Sequence, residues 1–383
     1  MILPDATLGV LGGGQLGRMF TVAARSMGYR VWVLEPDPHS PAGAIADRHL
    51  QAGYADRAAL EELAAGCAAV TTEFENVPAE ALEYLESRIP VRPGSAAVAV
   101  TRDRIAEKTF IRDQGLATAP FFAIHGADEL EPACRGLRLP ALLKTARLGY
   151  DGKGQVPVDS LADARRGFGE LQGAACVLEE RVELAKELSV ILARGVDGSS
   201  TFYPVGENHH RNGILDTTRV PARVPERTAR QALDMAGALA DAMDYCGVLA
   251  VEFFLTRDDR LLINEMAPRP HNSGHYTVDA SLSSQFEQQV RMLCGLPAGA
   301  TDLLSPVVMV NLLGDLWRDD RPPPWDTLFA HPRAKLHLYG KKHARPGRKM
   351  GHYNCLAASV DEAAADAEAI RLKLQGGGEG KNG

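Results

Sequence analysis

Glu252 and Glu265 sit where chemistry is easiest to suspect. Each interrupts an apolar run, Val248-Leu249-Ala250-Val251-Glu252-Phe253-Phe254-Leu255 and Leu261-Leu262-Ile263-Asn264-Glu265-Met266, and a lone buried carboxylate is costly there. Thr256-Arg257-Asp258-Asp259-Arg260 between the runs reads as a hairpin turn. With a loop of Arg257 to Arg260 the two glutamates face each other on one side of the hairpin, whereas a loop one residue shorter or longer puts them on opposite sides. Facing carboxylates suit a hard divalent cation, Mg²⁺ or Mn²⁺, with Asn264 as a further oxygen donor; pairing with Arg or Lys is the structural alternative.

A second group of residues reads as phosphate chemistry. Pro140-Ala141-Leu142-Leu143-Lys144 has the pattern of a buried strand ending in a lysine, and the stretch Leu148-Gly149-Tyr150-Asp151-Gly152-Lys153-Gly154-Gln155 follows it. The spacing is not that of a P-loop. A glycine hairpin can still cover phosphates with main-chain N–H groups while a lysine supplies charge; the plain alternative is a tight turn with Lys153 in solvent. Val177-Leu178-Glu179-Glu180-Arg181-Val182, with Glu187 beyond it, suits a strand edge that reads a base and holds ribose hydroxyls, or equally a solvated acidic turn.

Near the N-terminus, Gly12-x-Gly14-x-x-Gly17 follows a strand and opens a helix, and Glu35 ends the next strand where a ribose-binding acid belongs. Alone, this fingerprint admits a dinucleotide enzyme, another ligand, or glycines that serve close helix–strand packing with no nucleotide. His271 and His275 have i,i+4 spacing, but Pro270 and Gly274 make their segment a loop, better suited to donating hydrogen bonds than to holding zinc. Lys335 to His352 gathers cations that glycine and proline break into a hairpin, a pattern for one phosphomonoester rather than a polymer.

The elements that must position these residues alternate in type. Strand signals at Thr7–Leu11, Val31–Leu34 and Ala69–Thr72, with a helix from Gln15 to Met27, give a βαβ start and a parallel sheet. Further helices are expected from Arg104 to Gln114, from Thr228 to Tyr245 and from Asp361 to Leu374. The 383 residues carry 42 Lys+Arg against 49 Asp+Glu, a net charge of −7 that argues against bulk nucleic-acid binding. A hydrophobic share of 45% and a charged share of 24% exclude whole-chain disorder. No apolar run approaches the roughly 18 residues of a membrane span. Met1 to Asp5 lacks a signal-peptide pattern, so a cytoplasmic location is expected. Cys67, Cys134, Cys176, Cys246, Cys294 and Cys355 form no C-x-x-C pair and read as reduced thiols, mostly in the core.

A glycine loop over phosphates, glutamates at a base edge and a two-glutamate hairpin, in that order behind a βαβ domain, resemble the ATP-grasp superfamily. The strings Gly12-Gly13-Gly14-Gln15-Leu16-Gly17-Arg18-Met19, Gly149-Tyr150-Asp151-Gly152-Lys153-Gly154, Asn264-Glu265-Met266-Ala267-Pro268-Arg269-Pro270-His271-Asn272-Ser273-Gly274-His275 and Arg345-Pro346-Gly347-Arg348-Lys349-Met350-Gly351-His352 resemble, more narrowly, the N5-carboxyaminoimidazole ribonucleotide synthase family of purine biosynthesis. The likeness runs from about Thr7 to Ala357.

That resemblance implies α/β and α+β structure in an ATP-grasp fold. The expected parts are an N-terminal Rossmann-like pre-ATP-grasp domain over 1–103, an ATP-grasp domain over 104–297 with a lid subdomain at 117–182, a C-terminal domain over 298–375 and a disordered tail over 376–383. It also implies an ATP-dependent ligase that carboxylates 5-aminoimidazole ribonucleotide with bicarbonate through carboxyphosphate. Such an enzyme uses ATP and Mg²⁺, forms a cytoplasmic homodimer and has no nucleic-acid or membrane partner.

By the same resemblance, ATP is expected at Arg104, Lys144, Gly149, Tyr150, Asp151, Gly152, Lys153, Gly154, Gln155, Glu179, Glu180, Arg181, Val182, Glu187, His210, Asn264 and Glu265, and the metal at Glu252 and Glu265. The ribonucleotide is expected at Gln15, Leu16, Glu73 or Glu75, Tyr150, Asp151, Arg269, His271 and Asn272, with Lys341 and Arg348 as a phosphate clamp. Asp151 is the implied proton acceptor, and Lys153 or Arg269 the group that orients bicarbonate. The Glu73-Phe74-Glu75 spacing leaves either carboxylate open, and His209 beside His210 leaves the same choice. The competing readings are another ATP-grasp ligase, such as a formate-dependent glycinamide ribonucleotide transformylase, and, from a different class, an NAD-dependent oxidoreductase built on Gly12–Gly17.

Overall fold

A computed structural model of the chain describes residues 1–149, 153–318 and 321–376. Among them the strands form three sheets. The first contains β1 (Thr7–Leu11), β2 (Arg30–Leu34), β3 (Arg48–Leu50) and β4 (Ala69–Thr72), all parallel in the order β3-β2-β1-β4. Every residue of β1 and β4 is buried, as a parallel sheet covered on both faces requires. The expected helix at Gln15 forms over Gln15–Ser26.

The second sheet is antiparallel, with β5 (Phe121–Ile124), β6 (Ala141–Thr145), β7 (Gln155–Val158) and β8 (Cys176–Glu180) in the order β5-β8-β6-β7. Lys144 therefore ends a central strand, across from Gln155 on one side and Val177 on the other. Tyr150, Asp151 and Gly152, for which roles were expected, lie outside the described residues, as does the tail beyond Gly376.

The third sheet holds β9 (Leu184–Arg194), β10 (Ser200–Phe202), β11 (Gly206–Arg211), β12 (Ile214–Val220), β13 (Gly247–Thr256), β14 (Leu261–Ala267), β15 (Val307–Leu313), β16 (Ala334–Leu338) and β17 (Lys349–Leu356). Its order is β14-β13-β9-β11-β12-β15-β17-β16, with β10 beside β9. The basic hairpin β16–β17 is thus added to the sheet that carries Glu252 and Glu265. Leu188, Val190, Leu249, Val251 and Ile263 meet the Glu226–Ala242 helix in one core. A second core packs Phe286, Val290 and Leu293 of the Gln285–Leu293 helix against Leu8, Val10 and Phe20. That contact fixes the N-terminal sheet relative to the large one.

The β13–β14 hairpin reaches the expected pairing by an unexpected route. Thr256 N–H donates to the Arg260 carbonyl at 2.9 Å, and the ladder runs Leu255 to Leu261, Phe254 to Leu262 and Phe253 to Ile263. The turn proper is Arg257 to Asp259, one residue shorter than the facing arrangement needs. Continued unbroken, that register would set Glu252 opposite Asn264. A β-bulge at Asn264 shifts the ladder, so that Glu252 pairs with Glu265 and Val251 with Met266.

Among the described residues no helix is long and apolar enough to cross a membrane. Cys67, Cys176, Cys294 and Cys355 are buried free thiols, and Cys134 and Cys246 are half-buried free thiols.

Candidate active site

A cleft of about 660 Å³ opens where the three sheets meet. Its walls include Gln15, Leu16, Glu73 and Glu75 from the N-terminal unit, Lys144, Gly149, Gln155 and Glu179 to Val182 from the second sheet, and Arg104, Glu187, His210, Glu252, Asn264, Glu265, Arg269, His271 and Asn272 from the large sheet and its surroundings. Residues scattered over more than 250 positions in the chain are therefore neighbours. Lys153, Gly154, Lys341 and Arg348 are not among the lining residues, whereas Lys349 is.

At the floor, Glu252 and Glu265 oppose each other across β13 and β14. Burial and the charge of Glu265 push the Glu252 carboxyl up to about 7. Burial would raise Glu265 as well, but Arg104 and Lys144 hold it below the usual carboxylate range. Arg104 reaches Glu265 at 3.2 Å. The buried Oδ1 of Asn264 finds no hydrogen-bond partner among the described residues. Two crowded carboxylates and one unpartnered amide oxygen, all hard donors, fit Mg²⁺ or Mn²⁺. No group of three or more His, Cys, Asp or Glu poised for a metal occurs among the described residues, so a set drawn from Glu252, Glu265 and Asn264 leaves coordination positions for phosphate oxygens and water.

Beside this floor, Glu179 is shared by two lysines, Lys144 at 2.9 Å and Lys108 at 2.6 Å. Burial alone would raise its carboxyl; the two ammonium groups hold it at about 2. Glu179 lies in the cleft wall with Glu180, Arg181 and Val182, where the strand edge was expected, and its side chain secures Lys144. Glu180 accepts from Arg138 N–H at 2.8 Å. Glu187 and His210 Nδ1 are 2.5 Å apart; burial works against the imidazolium, and the Glu187 bond raises it. The bulge between His209 and His210 turns His210 into the cleft and leaves His209 exposed.

The glycine fingerprint behaves differently. Glu73 accepts from Gly14 N–H and from Gly17 N–H, the latter at 2.6 Å. It thereby occupies the helix N-terminus at which a dinucleotide's pyrophosphate would sit. A Cβ on Gly12 would lie 2.3 Å from Glu73 Cγ, so the glycines make room for the protein's own carboxylate. Glu35, at the position of a ribose-binding acid, instead accepts from Gly13 N–H at 2.8 Å and from the Tyr54 hydroxyl at 2.6 Å. Both observations overturn the oxidoreductase reading. Glu75 pairs with Arg269 at 2.9 Å, so the two carboxylates of the Glu-x-Glu string have separate jobs.

The rest of the expected substrate end is partly engaged within the protein. Lys341 Nζ donates to Gln15 Oε1 and, at 2.7 Å, to the Lys349 carbonyl. Arg348 donates to the His343 carbonyl at 2.7 Å, an answer within its own hairpin loop that keeps it out of the cleft wall. Asn272 exchanges amide hydrogen bonds with Asn311 at 3.0 and 2.7 Å. Gln285 grips the His271 N–H and carbonyl, each at 2.8 Å, and contacts His275 Nδ1 at 3.1 Å. His271 lines the cleft and His275 is fully buried. Sequence reasoning missed Lys108 and Glu107, and within the basic run it singled out Lys341 and Arg348 where Lys349 is the residue that lines the cleft. The signal for the first two was Arg104, Glu107 and Lys108 at i, i+3 and i+4 in an otherwise ordinary helix.

Models of three families match the chain in succession: a ribonucleotide synthetase preATP-grasp domain over 5–102, an ATP-grasp domain over 109–286 and a phosphoribosylaminoimidazole carboxylase C-terminal domain over 307–366. The chain is 45% identical to N5-carboxyaminoimidazole ribonucleotide synthase of Bacillus subtilis over 362 residues, 94% of each. It is also 45% identical to that of Brucella melitensis over 91% of this chain and 96% of the relative. The chain belongs to the N5-carboxyaminoimidazole ribonucleotide synthase family. Among solved members of that family, an ADP complex superposes with a TM-score of 0.91 at 42% identity, covering 97% of this chain and 98% of that one. The Aspergillus clavatus synthase in complex with ADP and 5-aminoimidazole ribonucleotide gives 0.90 at 31% identity, covering 96% and 98%. The C-terminal domain match over 307–366 takes in the basic hairpin.

Proposed function

We propose that the chain carboxylates 5-aminoimidazole ribonucleotide with bicarbonate at the expense of ATP, giving N5-carboxyaminoimidazole ribonucleotide in purine biosynthesis. One observation carries this reading. A single cleft joins a cationic, carboxylate-floored end at Lys144, Arg104, Glu252 and Glu265 to a second polar end at Gln15, Glu75, Arg269 and His271. The first suits a metal-bound triphosphate and the second a small polar acceptor.

Bicarbonate is a poor electrophile until an oxygen is phosphorylated. The γ-phosphoryl group passes to bicarbonate and ADP leaves; carboxyphosphate then breaks its bond to phosphate, inorganic phosphate is released, and the CO₂ is taken by the exocyclic amine. Lys144 and Arg104 neutralise phosphate charge in a water-poor site, and Lys144 is held ready by Glu179. Mg²⁺, held by Glu252 and Glu265 with Asn264 near, supplies further neutralisation of the phosphate oxygens when bound. Arg269, mostly buried and fixed by Glu75, orients bicarbonate better than the exposed Lys153. Asp151 is assigned the amine proton, and the Gly149–Gln155 segment the phosphates. Lys341 and Arg348 bind the ribonucleotide phosphate. The same reading makes the enzyme a cytoplasmic homodimer.

The test is ADP release with bicarbonate and 5-aminoimidazole ribonucleotide, and separately with formate and glycinamide ribonucleotide. Turnover is expected in the first mixture. Turnover confined to the second refutes the reading.

A further inference from the structure

One face of the Arg104–Asp113 helix meets three successive residues of β14. Arg104 pairs with the Glu265 side chain, Lys108 Nζ donates to the Asn264 main-chain carbonyl at 3.3 Å, and Glu107 accepts from Met266 N–H. Positions i, i+3 and i+4 share a helix face, so one rigid element grips the strand across its bulge. Lys108 is fully buried and is not part of the cleft wall. Its other partners are Glu179 Oε2 at 2.6 Å and Thr118 Oγ1 at 3.2 Å, and Thr118 in turn donates to the Ile263 carbonyl at 2.8 Å.

A buried ammonium is expensive where an apolar side chain would pack. What it secures here is a residue on which the site depends. The bulge at Asn264 brings Glu265 opposite Glu252, and a register slip of one residue would carry Glu265 to the other face. With the Asn264 carbonyl tied to Lys108, its side-chain Oδ1 is left unpartnered among the described residues, at the wall of the cleft.

We propose that Lys108 is a positioning residue for the divalent cation: it pins the bulged Asn264 so that the Asn264 amide oxygen, Glu252 and Glu265 converge. It touches neither cation nor nucleotide. The proposal rests on the assignment of the cation to Glu252 and Glu265.

Mn²⁺ binding to the full-length enzyme saturated with ADP, read by electron paramagnetic resonance, tests it. Lys108→Met should weaken Mn²⁺ binding by roughly 10- to 100-fold, the range for residues that orient metal ligands. The double variant Lys108→Met/Glu179→Gln, which removes the opposing charge as well, should stay as weak, because the lost contact is to Asn264. Thr118→Val keeps shape and charge but removes the hydroxyl beside Lys108. It should weaken Mn²⁺ to a lesser degree while metal-free ADP affinity holds.

Unchanged Mn²⁺ affinity in Lys108→Met, or affinity restored in the double variant, overturns the proposal. Should Lys108→Met not fold, Thr118→Val decides: unchanged Mn²⁺ affinity, or a loss shared by metal-free ADP, overturns it. Glu252→Gln and Glu265→Gln separate the two claims. If both bind Mn²⁺ like the unaltered enzyme, the cation assignment falls and the proposal with it. If both lose Mn²⁺ while Lys108→Met and Thr118→Val keep it, only the positioning role fails.

Discussion

The Gly12–Gly17 loop and the β13–β14 hairpin both bring glutamates to the wall of one cleft, and they leave those glutamates in opposite conditions. Around the loop, Glu73 is met by two main-chain N–H groups and Glu35 by a third and by Tyr54. The anion-binding capacity of the helix N-terminus is already used. On the hairpin, Glu252 is crowded by Glu265, its carboxyl pushed up to about 7, beside an amide oxygen with no partner among the described residues. Electrostatics completed inside the protein mark a scaffold, and electrostatics left incomplete mark a binding site. The loop has the better-known motif, yet the hairpin has the chemistry.

The contrast predicts its own largest effect. Glu265→Ala removes a metal donor and leaves Arg104 without its partner, so ADP release should fall by about 10³-fold, as when a group stabilising transition-state charge is lost. Steady-state ADP release with both substrates saturating measures it. Unchanged turnover would break the assignment of the hairpin as the reactive end.

Glu73→Gln tests the other side. Glutamine offers one acceptor oxygen where Gly14 and Gly17 present two donors, and its amide group would face the second N–H. A buried donor left unpaired costs about 1–3 kcal/mol, so the variant should melt at lower temperature. Turnover at saturating substrates should fall far less than in Glu265→Ala. A catalytic loss as large as that of Glu265→Ala, without loss of stability, would make the loop a reactive site after all.

This difference also decides what the sequence could disclose. Local elements were readable: β1 and β4 fall at Thr7–Leu11 and Ala69–Thr72 as expected, because short runs of small, apolar and β-branched residues between turn signals read as buried strands. The facing of Glu252 and Glu265 was left to the length of the loop, and the three-residue turn alone would have set them on opposite sides; the bulge that brings them together was not readable. A bulge depends on what grips the strand from outside, and Lys108 lies 156 positions from Asn264. The role of Glu73 was hidden for the same reason, since its partners lie 59 and 56 positions away. The addition of β15–β17 to the edge of the large sheet was likewise a tertiary fact, with no local pattern to announce it.

Proton linkage sharpens the comparison further. The folded protein holds the Glu252 proton up to about 7, against 4.5 for the ordinary carboxyl. Between those values the native state binds more protons than the unfolded chain, so without metal this group's contribution to stability declines as pH rises through that window and is level above it. Glu107, raised to about 8, acts in the same direction. The comparison is therefore between the unaltered protein and Glu252→Gln in metal-free buffer. The melting temperature of the former should fall relative to the latter from about pH 5 to pH 7. Mg²⁺ competes with that proton, so its stabilising effect should grow over the same range. A parallel pair of melting curves across pH would show that Glu252 holds no raised proton in the folded protein.

Lys341 ties the loop to the basic hairpin, bonded to Gln15 and to the Lys349 carbonyl. If the loop end is a platform for the ribonucleotide and the hairpin floor serves the triphosphate, removing this cation should be felt by one substrate only. Lys341→Ala is expected to raise the KM for 5-aminoimidazole ribonucleotide by roughly tenfold, the value of one charge-assisted hydrogen bond, while the KM for ATP and kcat stay near those of the unaltered enzyme. Initial rates with each substrate varied in turn measure the split. A rise shared equally by both KM values would mean that Lys341 holds the cleft together rather than reading the phosphate, and the division between a platform and a reactive floor would have to be redrawn.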